Sequence, residues 1–362
     1  MASVRARLPI PGGEMKRAET VLRFPRPHPS SLMPTCLRNW GKLIVALVLS
    51  LSTIASVTSA DNSQFPFGCP VREGYVNVTG GKVWYEIVGD GEATPLIVLH
   101  GGPGFPHDYL EPIGALCRER PVVFYDQLGS GKSDHPNDTS LWNIDRFVKE
   151  LSELRSALDL KRAHILGQSW GSILLTDYAL TQPDGVVSLI FSNPLCSFPE
   201  WTRDAATYRK ELPAATRDTL DRHEAAGYTQ CPEYQGAVLE YYKRHVCRLA
   251  VWPDAVERAF AGANGEVYVT MQGPNEFTCT GNLKDWDQTA RLKEIKSPAL
   301  YIAGRFDETS PRATALCHNA LPGSEMVIFE KSSHVPFFEE PEKYLKVVRD
   351  FLHRAEHRAA GR

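Results

Sequence analysis

Ala163-His-Ile-Leu-Gly-Gln-Ser-Trp-Gly171 is the stretch on which the fold turns. Its first half is a short apolar run of the kind that forms a buried strand. Its second half, Gly167-Gln168-Ser169-Trp170-Gly171, is a G-x-S-x-G sequence with a helix expected from about Trp170. A serine between a strand and a helix on so sharp a turn is held in a strained conformation, and the residues two before and two after it have no room for a side chain. The strain exposes the hydroxyl, which marks Ser169 as a candidate nucleophile.

Outward from that turn, the same grammar repeats. Pro95-Leu-Ile-Val-Leu-His100 and Pro121-Val-Val-Phe-Tyr125 read as buried strands, the first ending in Gly101-Gly102-Pro103-Gly104 and the second at Asp126. Residues 143–158 carry Ile144, Phe147, Val148, Leu151, Leu154 and Leu158 at helical spacing. Further strands are expected at Val187–Ser192, Pro298–Ala303 and Glu325–Phe329, a hairpin at Gly74–Val78 and Lys82–Val88, and a closing amphipathic helix at about Pro341–His353. Strands alternating with helices predict an α/β fold with a mostly parallel central sheet covered on both faces. From about Cys196 to Asp285 the alternation stops, and a polar, aromatic, helical pattern punctuated by Pro213, Pro232 and Pro253 predicts an inserted cap. The expected organisation is an N-terminal extension over 1–60, core over 61–195, cap over 196–285 and core again over 286–362.

Ligands of open parallel sheets gather beyond the carboxyl ends of the strands, and every candidate catalytic residue falls there. A serine hydroxyl needs a base, and the base needs an acid to fix its tautomer and stabilise the imidazolium. Of eleven histidines, only His334 follows the last strand, in Lys331-Ser-Ser-His-Val-Pro336. His100 reads as part of the glycine turn and His164 as a core residue. Asp307, ending the strand after the cap, completes the order Ser, Asp, His; Asp126 competes but precedes the serine. The oxyanion of an acyl-transfer intermediate requires fixed backbone donors, for which Trp170 and Gly102 are the candidates.

The sequence of 362 residues has 40 basic and 43 acidic side chains and a net charge of −3, without long like-charged blocks. Nothing there suggests a nucleic-acid partner or a polybasic membrane patch, so a small molecule or peptide is expected as substrate. Arg38 and Lys42 precede the apolar run Leu43–Ala55, followed by small residues at Thr58, Ser59 and Ala60. This predicts a secretory signal cut near Ala60, with export to the periplasm or the exterior; an uncleaved anchor and a buried apolar segment are the alternatives. Met33, just before the basic flank, is an alternative start. With Cys36 in that segment, seven cysteines remain, an odd number that leaves at least one thiol free. Cys231 and Cys247 are near enough to pair, and buried free thiols are the equal alternative. No metal site is expected, since there is no C-x-x-C and no His/Cys cluster at ligand spacing.

Several stretches together resemble the proline iminopeptidase family of α/β-hydrolases, and most of all its tricorn-interacting aminopeptidase branch. They are His100-Gly-Gly-Pro-Gly104 with His107-Asp-Tyr-Leu110, Tyr125-Asp-Gln-Leu-Gly-Ser-Gly-Lys-Ser133, Gly167–Gly171, Gly273-Pro-Asn-Glu-Phe277 and Asp307-Glu308, and the likeness runs from about Val78 to Phe351. The resemblance implies the α/β-hydrolase fold, the triad Ser169, Asp307 and His334, oxyanion donors at Gly102 and Trp170, and no cofactor. It also implies that Glu276 and Glu308 hold the substrate's free α-amino group. By themselves Glu276 reads as a surface charge of the cap and Glu308 as a solvated loop residue; two carboxylates beside a nucleophile would nonetheless grip a cationic N-terminus by charge-assisted hydrogen bonds. Leu128 departs from the arginine that many members carry there.

The activity expected is release of an N-terminal residue, preferentially proline, from short peptides through an acyl-enzyme. The same machinery acting on amino-acid amides or esters is the alternative. Epoxide hydrolases and dehalogenases need an aspartate in place of Ser169, and a non-catalytic binding protein has no need of a full triad.

Overall fold

A computed structural model of the chain describes residues 67–360. The apolar run 43–55 and the expected cleavage point near Ala60 lie outside the described residues.

Eight strands form one sheet: β1 (Val71–Val78), β2 (Gly81–Val88), β3 (Leu96–Leu99), β4 (Val122–Tyr125), β5 (Ala163–Gln168), β6 (Val186–Ser192), β7 (Ala299–Gly304) and β8 (Glu325–Phe329). Their spatial order is β1-β2-β4-β3-β5-β6-β7-β8. The hairpin β1–β2 joins the sheet antiparallel to β4, and every pairing from β4 onward is parallel. The helices are α1 (Ile144–Ala157), α2 (Trp170–Leu180), α3 (Phe198–Lys210), α4 (Ala214–Ala225), α5 (Pro232–His245), α6 (Asp254–Ala261), α7 (Gly265–Met271), α8 (Pro311–Ala320), the single turn α9 (Pro336–Glu339) and α10 (Pro341–Ala360).

The central strands are continuous apolar runs because both faces are covered. Successive side chains alternate between two cores. Ile97, Leu99, Val123 and Ile165 face one side with Phe147 and Leu151 of α1 and Ile173 and Leu174 of α2. Leu96, Val98, Val122 and Leu166 face the other with Val348 and Leu352 of α10. That second core also takes Leu110 and Ile113 from a 3-10 segment at His107–Arg118, which the sequence hides because Pro112 interrupts any helical period.

Between β6 and β7 no strand occurs among the described residues; α3–α7 fill the interval. Part of this insertion has its own core, in which Tyr234, Val238 and Tyr241 of α5 pack with Ala205, Leu220 and Phe277.

Among the described residues two disulfides occur, and neither was legible in the spacing of the cysteines. Cys69–Cys117 closes 48 residues, and Cys196–Cys317 closes 121 and fixes the entrance of the insertion to α8. Cys231 and Cys247 are buried free thiols, and Cys279 is free and half-buried; of the two readings of Cys231 and Cys247, the unpaired one holds here. A disulfide stabilises chiefly by restricting the unfolded chain, and more so for long loops. The double substitution Cys196→Ser and Cys317→Ser is expected to cost about 2–5 kcal/mol of stability. Thermal unfolding checks this: without reductant the variant should melt below the native protein, and reductant, which opens both bonds in the native protein and only Cys69–Cys117 in the variant, should narrow that difference.

Candidate active site

The turn after β5 has the geometry that its glycines demand. Ser169 sits at φ 53° and ψ −123°, a conformation that non-glycine residues adopt only under constraint. A Cβ on Gly167 would stand 2.2 Å from the carbonyl oxygen of Gly171, and one on Gly171 would stand 2.3 Å from that of Leu99. Both positions are therefore closed to any side chain, and the strain at Ser169 is maintained by close packing on either side. The N–H of Trp170 opens α2, where no intrahelical acceptor exists.

His334 and Asp307 meet as expected. His334 Nδ1 lies 2.7 Å from Asp307 Oδ1. Asp307 is fully buried and fixed at both oxygens: the Thr309 N–H donates to Oδ1 at 3.0 Å, and Asn193 Nδ2 donates to Oδ2 at 2.5 Å. Asn193 is a residue that the sequence did not single out. Its own φ of 53° follows directly after β6, and its amide also reaches the Ser333 carbonyl at 3.2 Å. Burial alone would push the His334 imidazole down, but Asp307 and Glu276 together raise it above the ordinary histidine value. Its Nε2 lies 3.5 Å from Glu308 Oε1.

The glycine turn after β3 is braced against the serine. The Gly101 N–H donates to the Tyr109 hydroxyl at 2.5 Å, that hydroxyl donates to Gln168 Oε1 at 2.6 Å, and Gln168 Nε2 reaches the His334 carbonyl at 3.1 Å. A second brace is Gln127, which donates to the His100 carbonyl at 3.0 Å and accepts from the Trp170 indole at 2.8 Å. The segments carrying both oxyanion candidates, Gly102 and Trp170, are thus held by one side chain. His100 itself accepts from the Gln127 N–H at 2.8 Å through Nε2 and contacts the Gly101 carbonyl through Nδ1. Burial holds it down to about 4, so it is neutral and shapes the turn. His164 is a core residue, bonded to Ser188. Asp126 accepts from the backbone and ring of His107 and from the Lys132 N–H, so that its carboxylate is occupied well away from His334's role. Leu128 is buried against Gly80 and Gly81 of the β1–β2 turn, an apolar contact in the place of a charge.

Glu276 and Glu308 come together although 32 positions separate their numbers. Both line each of two cavities that also share Ser169 and Gly102. Glu308 is buried, and its Oε2 has no hydrogen-bond partner among the described residues. Burial, then Glu276, then Asp307 raise its carboxyl well above the usual range. Glu276 is raised by burial and pulled down by the Tyr268 hydroxyl and by His334. Two acidic side chains on the same cavity walls, one with an oxygen that has no partner among the described residues, have the chemistry to receive a cationic group.

The larger cavity, about 450 Å³, is bounded by His334 and Val335 and by apolar residues of α6. The smaller, about 290 Å³, lies on the Trp170 side and is walled by Leu195, Phe198, Trp201 and Leu283. No group of three or more potential metal-ligating side chains occurs among the described residues.

Comparisons with known proteins bear on the fold and the family. Residues 94–341 match the family model described as alpha/beta hydrolase fold. Proline iminopeptidase of Heyndrickxia coagulans is 48% identical over 282 residues, covering 77% of this chain and 98% of that protein. The crystal structure of proline iminopeptidase from Mycobacterium smegmatis superposes with a TM-score of 0.74 at 38% identity, over 80% of this chain and 100% of the other. That of VinJ gives 0.77 at 36% identity, over 78% and 99%. Near-complete coverage of relatives at this identity, on a chain whose strand-end serine, histidine and aspartate assemble as described, means that it belongs to the proline iminopeptidase family of α/β hydrolases.

Proposed function

We propose that the protein is a serine aminopeptidase that releases the N-terminal residue, preferentially proline, from short peptides. The observation that carries this reading is the Glu276–Glu308 pair beside Ser169, since a peptide's terminal ammonium is the cation that two desolvated carboxylates at a nucleophile would bind. The apolar walls of the smaller cavity suit a pyrrolidine ring, and the related proteins named proline iminopeptidase support that choice.

In this mechanism the ammonium sits between Glu276 and Glu308, which sets the depth to which the chain enters and leaves only the first carbonyl at Ser169. Ser169 Oγ attacks that carbon as His334 Nε2 takes its proton, while Asp307 holds the imidazole by Nδ1 and stabilises the imidazolium. The N–H groups of Gly102 and Trp170 receive the oxyanion. His334 returns the proton to the leaving amine, and water, activated by the same imidazole, releases the amino acid from the acyl-enzyme. A peptide such as Pro-Leu-Gly-Gly, followed by mass spectrometry, tests the reading: loss of the first residue as the initial product supports it, and cleavage at an internal bond contradicts it.

The chain is also proposed to be exported, with its mature protein beginning near Asp61. Two disulfides support this, because such bonds persist in oxidising compartments. Among the described residues no helix is long and apolar enough to cross a membrane. N-terminal sequencing of protein recovered from its host decides the point: a start at residue 61 or close by agrees, and an intact 43–55 segment does not.

A further inference from the structure

The two cavities that share Ser169, Glu276 and Glu308 are not equivalent, and their difference assigns a specificity that the amine clamp alone does not. The proton that leaves Ser169 must be delivered by His334 to the departing amine, so the leaving group has to lie on the His334 side of the serine. His334 and the following Val335 line only the larger cavity. Trp170, whose N–H is the oxyanion candidate, lines only the smaller one. With the ammonium fixed between the two glutamates, the first residue's side chain enters the smaller cavity, and the second residue of the peptide enters the larger.

The wall met by that second residue is apolar. Val256, Ala259 and Phe260 come from α6, Val246 follows α5, and Phe105 follows the glycine turn. Phe105 meets Phe260 edge to face at 5.0 Å, and Phe260 is supported from behind by Trp252 at 5.3 Å. The ionisable side chains on this cavity are Glu276, Glu308, His334 and Tyr109, none of which is a free cation to receive an acidic residue. Arg258 of the same helix is engaged with Asp108, Glu111 and Asp254.

We infer that the α6 wall is a specificity pocket for the second residue of the substrate, selecting an apolar side chain and rejecting an acidic one. This rests on the aminopeptidase reading, and the test separates the two. Prolinamide presents no second residue and reads the catalytic machinery by itself; Pro-Leu-amide, Pro-Gly-amide and Pro-Asp-amide add the second residue with its carboxyl end blocked. The native protein is expected to cleave Pro-Leu-amide with a kcat/KM at least about tenfold above Pro-Gly-amide, the size of a buried aliphatic contact, and Pro-Asp-amide more slowly than either. Phe260→Ala should bring the Leu-to-Gly ratio towards one. Val256→Thr, which keeps the volume of the wall and adds a hydroxyl, should lower the same ratio without depending on how the protein tolerates loss of an aromatic ring. Prolinamide cleavage with a Leu-to-Gly ratio near one in the native protein, or a ratio that both variants leave unchanged, overturns the pocket while leaving the aminopeptidase standing. Failure to cleave prolinamide and all three dipeptide amides overturns the aminopeptidase reading and the pocket with it.

Discussion

Ser169→Ala is expected to lower kcat on a prolyl arylamide by about 10⁴- to 10⁶-fold while changing KM little, because the substrate's amine and ring make none of their contacts with the hydroxyl. The residual rate would come from the Gly102 and Trp170 donors and from positioning. Alanine keeps the Cβ of the serine and removes only the hydroxyl, so the turn between β5 and α2 has no new atom to accommodate. An unchanged circular dichroism spectrum with activity lost therefore isolates the nucleophile, whereas activity retained within tenfold would remove Ser169 from the mechanism.

The second large effect concerns the carboxylate pair. Glu308→Gln keeps the shape of the side chain and deletes the charge that receives the ammonium. Loss of one partner from a desolvated charge pair costs about 2–5 kcal/mol, so kcat/KM for a free-amine substrate should fall by about 30- to 5,000-fold. Steady-state kinetics on a prolyl arylamide measures this directly. Glu276→Gln makes a further, signed prediction in pH. The substrate's ammonium needs ionised carboxylates, and His334 needs to be neutral to act as base, so activity is lost as pH falls through their raised values. Glu276 raises both Glu308 and His334. Removing its charge lowers both, and the acid limb of the residual kcat/KM profile should move to lower pH; a shift to higher pH would contradict the arrangement.

The candidate acid Asp307 and candidate base His334 were legible because each follows a strand, and the strands are short apolar runs that a sequence displays openly. Ser169 was legible as a candidate nucleophile for a steric reason, and the structure leaves no room for a Cβ at Gly167 or Gly171. What supports these residues was not legible. Asn193 holds Asp307 from the end of β6, and Tyr109 links Gly101 to Gln168. Both act through tertiary contacts, and nothing in their local sequence distinguishes them from ordinary turn and core residues, although Tyr109 lies within one of the stretches that carried the family resemblance. The same holds for the disulfides, whose partners are fixed by the fold and not by spacing. Glu276 was assigned only through the resemblance, because a carboxylate in a helical insertion looks like surface until the insertion folds over the strand ends. The last helix runs past His353 to Ala360 because its charged residues continue to alternate and no stop signal intervenes.

In the proposed reading, a free α-amino group gripped by Glu276 and Glu308 licenses cleavage at the first residue. Its most direct test is the hydrolysis of a proline arylamide beside its N-acetylated twin, by protein starting at residue 61, with Ser169→Ala as control. Cleavage of the free-amine substrate alone, absent in the control, is the predicted result; equal cleavage of both would remove the clamp and leave a general amidase or esterase in its place.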